Sequence, residues 1–173
     1  ATSRYNKQLD KGYRENKEEL TELETLPMLA SDYNKVGHRI IYPCYGSAKL
    51  DGARCLASKK EDGTVELKSR GGKMYCIPHI QEQLSRNMNI GDMWDGELYL
   101  HGKCLEEIVS AVKKPNVNTP HLNYVLFDVV SKHTYDYRLI ELQRIRNHVL
   151  DYDGSVSVLP FCELTDEDHM KQL

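Results

Sequence analysis

The feature that most constrains the fold of this chain is an irregular mixture of short strand patterns and amphipathic helix patterns. Residues 94–100 and 124–130 have strand character, and the second segment is nearly all apolar, as a central strand would be. Between them, Leu105, Ile108 and Val112 recur with helical spacing. The irregular order excludes a regular βαβ repeat and predicts an α+β fold with mainly antiparallel sheets.

Turn and cap signals divide the remaining chain. The tetrapeptide E-D-G-T at 61–64 predicts a hairpin between strand segments 47–59 and 65–69. Pro78 favours the first position of a helix over 77–88. Thr165 followed by Asp168 matches a capping box, which predicts a helix that begins at Thr165. Further expectations are a β-prone stretch at 39–42, a helix with apolar positions 139, 142, 145 and 149, and a strand at 155–159.

Length and composition are those of a single globular domain. The chain has 173 residues, of which 40% are hydrophobic. Residues 1–26 are strongly charged and predict an N-terminal helical extension, with a short helix over 15–24, whereas residues 27–173 predict one domain. Apolar stretches are short and the first ten residues are polar, so the sequence predicts no membrane span and no signal peptide.

Charge and cysteine usage narrow the class of protein. A net charge of −3 excludes a wholly basic nucleic-acid coat protein but leaves a locally basic groove open. The five cysteines include no pair at C-x-x-C spacing and the seven histidines are scattered, which argues against a metal site made by the protein alone. We expect reduced thiols in a cytoplasmic monomer.

The hexapeptide K-L-D-G-A-R at 49–54 carries the clearest chemical signal. A lysine amine that has lost its proton can attack phosphorus or a carbonyl, and a nearby cation such as Arg54 favours the neutral amine. On a strand Asp51 would share a face with Lys49, where it suits a metal, a ribose or a basic partner. Gly52 leaves room for a close ligand. The same residues also fit an ordinary Asp-Gly turn, of which the chain has four.

Three later segments and one earlier segment accompany the hexapeptide. They are S-R-G-G-K at 69–73, D-G-E-L at 95–98, Y-V-L-F-D-V at 124–129 and P-M-L-A at 27–30. In this order the sequence resembles the covalent nucleotidyltransferase superfamily of DNA ligases, RNA ligases and mRNA-capping enzymes, whose hallmark is K-x-D-G-x-R. P-M-L-A is similar to the segment that opens many ATP-dependent DNA ligase catalytic domains. The likeness is strongest to the small bacteriophage type of ligase.

The resemblance implies a fold, a reaction and a set of ligands. The fold would be the ATP-grasp-like adenylation fold of ligases, an α+β structure with mainly antiparallel sheets and flanking helices. ATP and Mg²⁺ would be the cofactors, nicked double-stranded DNA the partner, and Lys49 the catalytic residue that carries AMP in a phosphoramidate bond. Residues that match the family's nucleotide-binding positions are Lys49, Asp51, Arg54, Arg70, Glu97 and Phe127.

Individual roles follow from the same resemblance. Arg54 and Arg70 would hold ribose or phosphate oxygens, Glu97 would contact the ribose or the metal, and Phe127 would stack on the purine. From the residues alone, Arg70 also fits a charge at a hairpin end, and Phe127 fits a core position in an apolar strand. Glu97 lies in a largely apolar strand, where a buried carboxylate needs a partner.

Two further motifs of the family are not in this sequence. E-G-x-V-x-K and a downstream K-x-K do not occur, and no segment corresponds to the OB-fold domain of ligases. We therefore expect the N-terminal part of an adenylation domain, incomplete at the C-terminus, which alone is inactive in nick sealing. The alternatives are an mRNA-capping-type guanylyltransferase or RNA ligase, and a catalytically silent fragment that binds a nucleotide or DNA.

Overall fold

The structure is a computed structural model that describes residues 31–149 and 154–172. These residues form two compact units, one of residues 51–149 and 154–158 and the other of residues 31–50 and 159–172. The predicted helix over 15–24 and the P-M-L-A segment at 27–30 lie outside the described residues. In the described ranges, no helix combines the length and the apolar composition that crossing a bilayer requires.

The described elements alternate between strands and helices. In chain order the helices are α1 (Tyr33–Val36), α2 (Pro78–Asn87), α3 (Leu105–Lys113), α4 (Tyr135–Val149) and α5 (Glu167–Lys171). Short 3₁₀ helices occupy Gly37–Arg39 and Thr119–His121. The strands are β1 (Cys44–Ser47), β2 (Ala53–Lys59), β3 (Val65–Ser69), β4 (Met74–Tyr75), β5 (Met93–Tyr99), β6 (Asn123–Val129), β7 (Val156–Val158) and β8 (Phe161–Leu164).

The larger unit is built on a six-stranded sheet with the order β4-β3-β2-β5-β6-β7. Every neighbouring pair is antiparallel except β6 and β7, which run parallel. Helix α2 contacts β3, α3 contacts β2 and β5, and α4 contacts β6 and β7. This arrangement confirms the α+β class with mainly antiparallel sheets and flanking helices, and it confirms β6 as a central strand.

Local signals set the hairpin and the first long helix of this unit. Gly63 adopts a φ of 83°, and both the backbone N–H and the hydroxyl of Thr64 donate to Asp62 Oδ1, so the predicted hairpin between β2 and β3 is confirmed. Helix α2 starts at Pro78 as expected. At its other end, Lys59 Nζ donates to the carbonyls of Ser85 and Met88, at 2.6 and 2.8 Å. These bonds satisfy carbonyls at the helix C-terminus.

The smaller unit pairs β1 with β8 in a two-stranded antiparallel sheet. Tyr45 and Phe161 meet edge to face with ring centroids 6.0 Å apart. A Cβ at Gly46 would lie 2.8 Å from Leu164 Cδ1, so glycine lets the two strands pack closely. The five cysteines all lie within the described residues and are free thiols.

Two strand predictions differ from the structure at their boundaries. The β-prone stretch 39–42 is not a strand, and pairing begins at Cys44 instead. Pro43 has no N–H to donate to a ladder, so the strand starts after it. The predicted segment 47–59 is divided, because β1 ends at Ser47 and β2 begins at Ala53 in a different sheet.

The predicted helix start at Thr165 is displaced along the chain. Helix α5 spans Glu167–Lys171, and its N-cap is Asp166, whose Oδ1 accepts a hydrogen bond from the His169 N–H at 2.8 Å. The Thr165 hydroxyl donates to Asp166 Oδ2 at 3.0 Å. A carboxylate is the stronger acceptor for the helix N–H groups, so it takes the cap position.

Candidate functional site

Residues from three of the sequence motifs share one face of the larger sheet. Arg54 of β2 lies directly opposite Glu97 of β5, and Glu97 lies opposite Val125 of β6, two residues before Phe127. Directly opposed residues on neighbouring strands present their side chains on the same face. Strand pairing therefore brings the hexapeptide, the D-G-E-L segment and the F-D segment together.

Arg54 and Asp95 form a bidentate ion pair on this face. Arg54 Nε lies 3.0 Å from Asp95 Oδ1, and Nη2 lies 2.5 Å from Oδ2. The Asp95 side chain is 8% exposed and the Arg54 side chain 24%. Burial raises the pKa of Asp95, whereas the Arg54 hydrogen bonds and charge lower it. The pair fixes the guanidinium plane in one orientation.

The Phe127 ring lies against the same guanidinium. The Arg54 Cζ atom lies 5.2 Å from the Phe127 ring centroid, within the range of a cation–π contact. The register between β5 and β6 shifts at this point, since Asp95 lies opposite Asp128 and Gly96 opposite Leu126. Phe127 is thus the extra residue of a β-bulge, a feature that re-aims a side chain. The result is a half-buried aromatic surface beside a fixed cation.

The glycines of the two D-G dipeptides allow close packing at the site. A Cβ at Gly52 would lie 2.5 Å from the Leu98 carbonyl oxygen and 2.7 Å from Glu97 Cγ. A Cβ at Gly96 would lie 2.6 Å from Tyr124 Cζ. These contacts are far shorter than carbon atoms tolerate, so only glycine lets β5 approach its neighbours here.

The Tyr124 ring that crosses Gly96 is itself part of the buried framework. Its hydroxyl donates to the carbonyls of Trp94 and Cys55, at 3.0 and 3.3 Å. Tyr124 is fully buried, and burial raises its pKa well above the usual value. The ring therefore links β2, β5 and β6 beneath the face that carries Arg54.

A second arginine–aspartate pair adjoins the first. Asp128, opposite Asp95, accepts hydrogen bonds from Arg138 Nε at 2.7 Å and Nη2 at 3.1 Å. Arg138 Nη1 also donates to the His133 carbonyl at 2.9 Å. These contacts tie the end of β6 to α4. Asp95, Asp128 and Arg138 were not among the sequence-derived site residues, although Asp95 and Asp128 stand inside the quoted motifs.

Of the remaining predicted residues, Arg70 and Asp51 lie near the sheet end at which β2 begins, and Lys49 belongs to the smaller unit. Arg70 directly follows Ser69, which pairs with Cys55, so it lies at the end of β3 beside the start of β2. Asp51 is exposed and precedes β2 by two residues. Lys49 is exposed and belongs to the smaller unit, two residues before Asp51 in the chain. Its assignment as nucleophile stays a prediction.

The carboxylates of this face limit how a metal ion fits. Asp95 and Asp128 are each bound by an arginine, and Glu97 is a half-buried carboxylate that lies opposite Arg54 on β2 and Val125 on β6. The described residues contain no group of three or more His, Cys, Asp or Glu side chains suited to a metal. Mg²⁺ commonly uses one or two carboxylates together with substrate phosphates. Glu97 fits that limited role.

Solved structures give the comparison with known proteins. The chain is similar to a structure of Lig E DNA ligases, with 23% identity and a TM-score of 0.64 over 87% of this chain and 56% of that one. A Chlorella virus DNA ligase–adenylate is 19% identical, with a TM-score of 0.60 over 85% of this chain and 53% of that one. The ATP-dependent DNA ligase of bacteriophage T7 in complex with ATP is 15% identical, with a TM-score of 0.59 over 85% of this chain and 56% of that one.

These likenesses concern architecture rather than sequence. No protein-family model and no curated protein matches the sequence. The chain spans about half of the length of the three ligases named above, and 37% of the first ligase structure that it matches. All identities are below 25%, so the agreement is one of fold. This chain therefore has the nucleotidyltransferase fold of the adenylation domain of ATP-dependent DNA ligases.

Proposed function

We propose that this chain is the nucleotide-binding part of an ATP-dependent DNA ligase. The observation that carries the proposal is the convergence of Arg54, Glu97 and Phe127 on one sheet face. These residues come from three separate motifs and are brought together by strand pairing. The fold, which is that of ligase adenylation domains, supports the same conclusion.

In the proposed first step, Lys49 is the nucleophile. Its neutral Nζ attacks the α-phosphorus of ATP, a P–N bond forms, and the bond between the α-phosphorus and the bridging oxygen breaks. Pyrophosphate leaves and the amine gives up a proton, so AMP remains on Lys49 as a phosphoramidate. Lys49 is exposed. A nucleophile must be accessible to its substrate in at least one state of the protein.

The sheet face supplies the proposed nucleotide contacts. Phe127 offers a flat aromatic surface for the purine. Arg54, held by Asp95, and Arg70 direct N–H groups at ribose or phosphate oxygens, for which a guanidinium is well suited. Glu97 contacts the ribose or a Mg²⁺ ion, which when bound would neutralise charge on the phosphates. Asp51 stands at the start of β2 for a ribose, metal or basic partner.

The later steps of the proposed reaction use nicked duplex DNA. AMP passes from Lys49 to the 5′-phosphate of the nick, and the 3′-hydroxyl then attacks that phosphorus with release of AMP. These steps depend on the whole ligase, of which the chain spans only part in the structures that it resembles. For this chain alone we expect almost no sealing of nicks, because charge stabilisation is usually a large part of catalysis.

Intact mass spectrometry after incubation with ATP and Mg²⁺ tests the proposal. The expected result is a mass gain of one AMP that survives denaturation, and its loss in Lys49→Ala and Lys49→Arg, since a guanidinium stays protonated. Lys35→Arg is the matched control, because Lys35 is 79% exposed and pairs only locally with Asp32. An adduct that persists in Lys49→Arg would contradict the assignment.

The same assay separates the alternatives. A covalent adduct formed from GTP and not from ATP would favour a capping-type guanylyltransferase. Labelling by ATP followed by sealing of nicked RNA but not nicked DNA would favour an RNA ligase. No adduct with either nucleotide, in a chain that binds DNA, would favour a silent binding fragment.

A further inference from the structure

The last residue of α3 and the segment that joins α3 to the second 3₁₀ helix form a largely exposed loop, residues 113–118. Val117, at its tip, is 84% exposed, which equals the largest exposure of any bulky apolar residue in the described ranges. Single exposed apolar residues are common on protein surfaces. Val117 differs from an ordinary exposed apolar residue because hydrogen bonds hold the backbone around it. These hydrogen bonds keep its side chain exposed to solvent.

Hydrogen bonds to a buried threonine fix this loop. The Thr119 hydroxyl donates to the Ala111 carbonyl at 2.8 Å and accepts from the Asn116 N–H at 2.9 Å. The Asn118 N–H donates to Asn116 Oδ1 at 2.9 Å. Thr119 is only 8% exposed. The loop is therefore pre-organised, which lowers the entropic cost of binding through it.

Two lysines precede Val117 in the chain. Lys113 and Lys114 are exposed, and neither forms an ion pair with a residue in the described part of the chain, whereas Lys60, Lys68 and Lys103 all pair with glutamates. Residues 108–127 contain no Asp or Glu, although the chain has 26 acidic residues. This stretch therefore carries basic and no acidic side chains, in a protein whose net charge is −3.

From the loop the chain continues through the second 3₁₀ helix to the end of the sheet that carries the candidate site. It leads into β6 at Asn123, which pairs with Tyr99 at the end of β5. The start of β2 and the end of β3 lie at this same end, because Ala53 pairs with Leu98 and Cys55 with Ser69. Asp51 and Arg70 therefore lie near the sheet end at which β6 begins.

We propose that the 113–118 loop is a docking surface for duplex DNA, in which Lys113 and Lys114 contact backbone phosphates and Val117 contacts the sugar edges of the minor groove. Lysines neutralise phosphates, and single apolar side chains are used as minor-groove contacts. A lone valine flanked by asparagines is too small an apolar area for a protein partner. The inference rests on the proposed ligase function, which supplies DNA as the substrate.

Fluorescence anisotropy with a labelled nicked duplex, titrated with the full chain at several salt concentrations, tests the loop. For the double variant Lys113→Ser/Lys114→Ser we expect roughly tenfold weaker binding and a slope of log K against log salt that is less steep by about 2. For Val117→Ser we expect about fivefold weaker binding with an unchanged slope, as loss of one apolar contact implies.

Matched controls separate the loop from general charge and hydrophobicity. Lys60→Ser/Lys68→Ser removes the same charge from lysines that pair with Glu66, and Ile90→Ser removes another exposed apolar side chain. Neither control is expected to change the affinity or the slope by a comparable amount. Thermal unfolding of each variant identifies any that no longer folds. If the Lys113→Ser/Lys114→Ser variant does not fold, Lys113→Gln/Lys114→Gln replaces it.

The outcomes distinguish this inference from the proposed function. The inference that the loop docks DNA is overturned if the loop variants bind the nicked duplex with the same affinity as the parent chain. It is also overturned if the parent chain shows no binding at low salt. Covalent labelling by ATP is measured in parallel and is expected to be unchanged in the loop variants. The parent chain could fail to form an AMP adduct while the loop variants still lose affinity for DNA. That result would support the docking role of the loop and reject the proposed ligase chemistry.

Discussion

Arg54 and Asp95, which are 41 residues apart in the sequence, are joined by two hydrogen bonds between adjacent strands of one sheet. The arginine belongs to the hexapeptide and the aspartate to D-G-E-L, so the pair links the two motifs physically. The Arg54 guanidinium is also covered by Phe127. These two contacts together fix the orientation of the Arg54 guanidinium.

Replacement of Asp95 by asparagine should destabilise the fold. The change removes the charged partner of Arg54 from a pair in which Asp95 is buried and Arg54 half-buried, and breaking a buried pair costs on the order of 3 kcal/mol. The free energy of unfolding, measured by urea denaturation, should fall by about that amount. Glu141→Gln is the control, because its pair with Arg144 is exposed and should contribute about 0.5 kcal/mol or less. Equal effects of the two substitutions would contradict the structural role given to Asp95.

Gly96→Ala should destabilise the sheet through a clash with Tyr124. The added methyl group would lie 2.6 Å from the ring and 2.7 Å from the Val125 carbonyl oxygen, so one of the strands must shift. Overpacking of this kind costs about 1–3 kcal/mol. Denaturation of Gly96→Ala, Tyr124→Leu and the double variant measures the coupling. We expect the double variant to lose less stability than the sum of the single losses, and strict additivity would rule out the clash.

Phe127→Leu should weaken ATP binding if the aromatic ring stacks on the purine. Stacking of a base on an aromatic side chain contributes about 1–3 kcal/mol, so the ATP concentration for half-maximal labelling should rise roughly tenfold or more. Phe127→Tyr keeps the ring and should retain most of the affinity. Phe161→Leu changes the other phenylalanine of the chain, in β8, and serves as the control. An unchanged ATP requirement in Phe127→Leu would reject the stacking role.

The cysteines should differ sharply in reactivity towards an alkylating reagent. Cys76 and Cys104 are exposed, whereas Cys55 is 0% exposed and its burial raises the pKa of the thiol well above the usual value. Because the thiolate is the reactive form, Cys55 should stay unmodified between about pH 7 and 9 until the protein unfolds. Peptide mass spectrometry after brief iodoacetamide treatment provides the measurement. Labelling of Cys55 as fast as Cys76 in the native protein would show that the sheet opens readily.

The sequence by itself determined the elements whose signals are local. The Asp62-Gly63 turn, Pro78 at the start of α2 and the near-continuous apolar run of β6 each act through neighbouring residues, and the structure reproduces them closely. The motif order was also sufficient to indicate the adenylation fold. The helix start at Thr165 was wrong by a short shift because Asp166 competes for the same cap.

Only the tertiary structure decided how the site residues are held. The Arg54–Asp95 pair, the bulge that re-aims Phe127 and the Asp128–Arg138 pair all depend on strand register or on helix packing between distant segments. A strand pattern specifies which face a side chain occupies but not which residue lies opposite it on the neighbouring strand. Register is set by the packing of the whole sheet, including the passage of Tyr124 across Gly96. The local sequence therefore indicated the candidate residues, and non-local packing set their geometry.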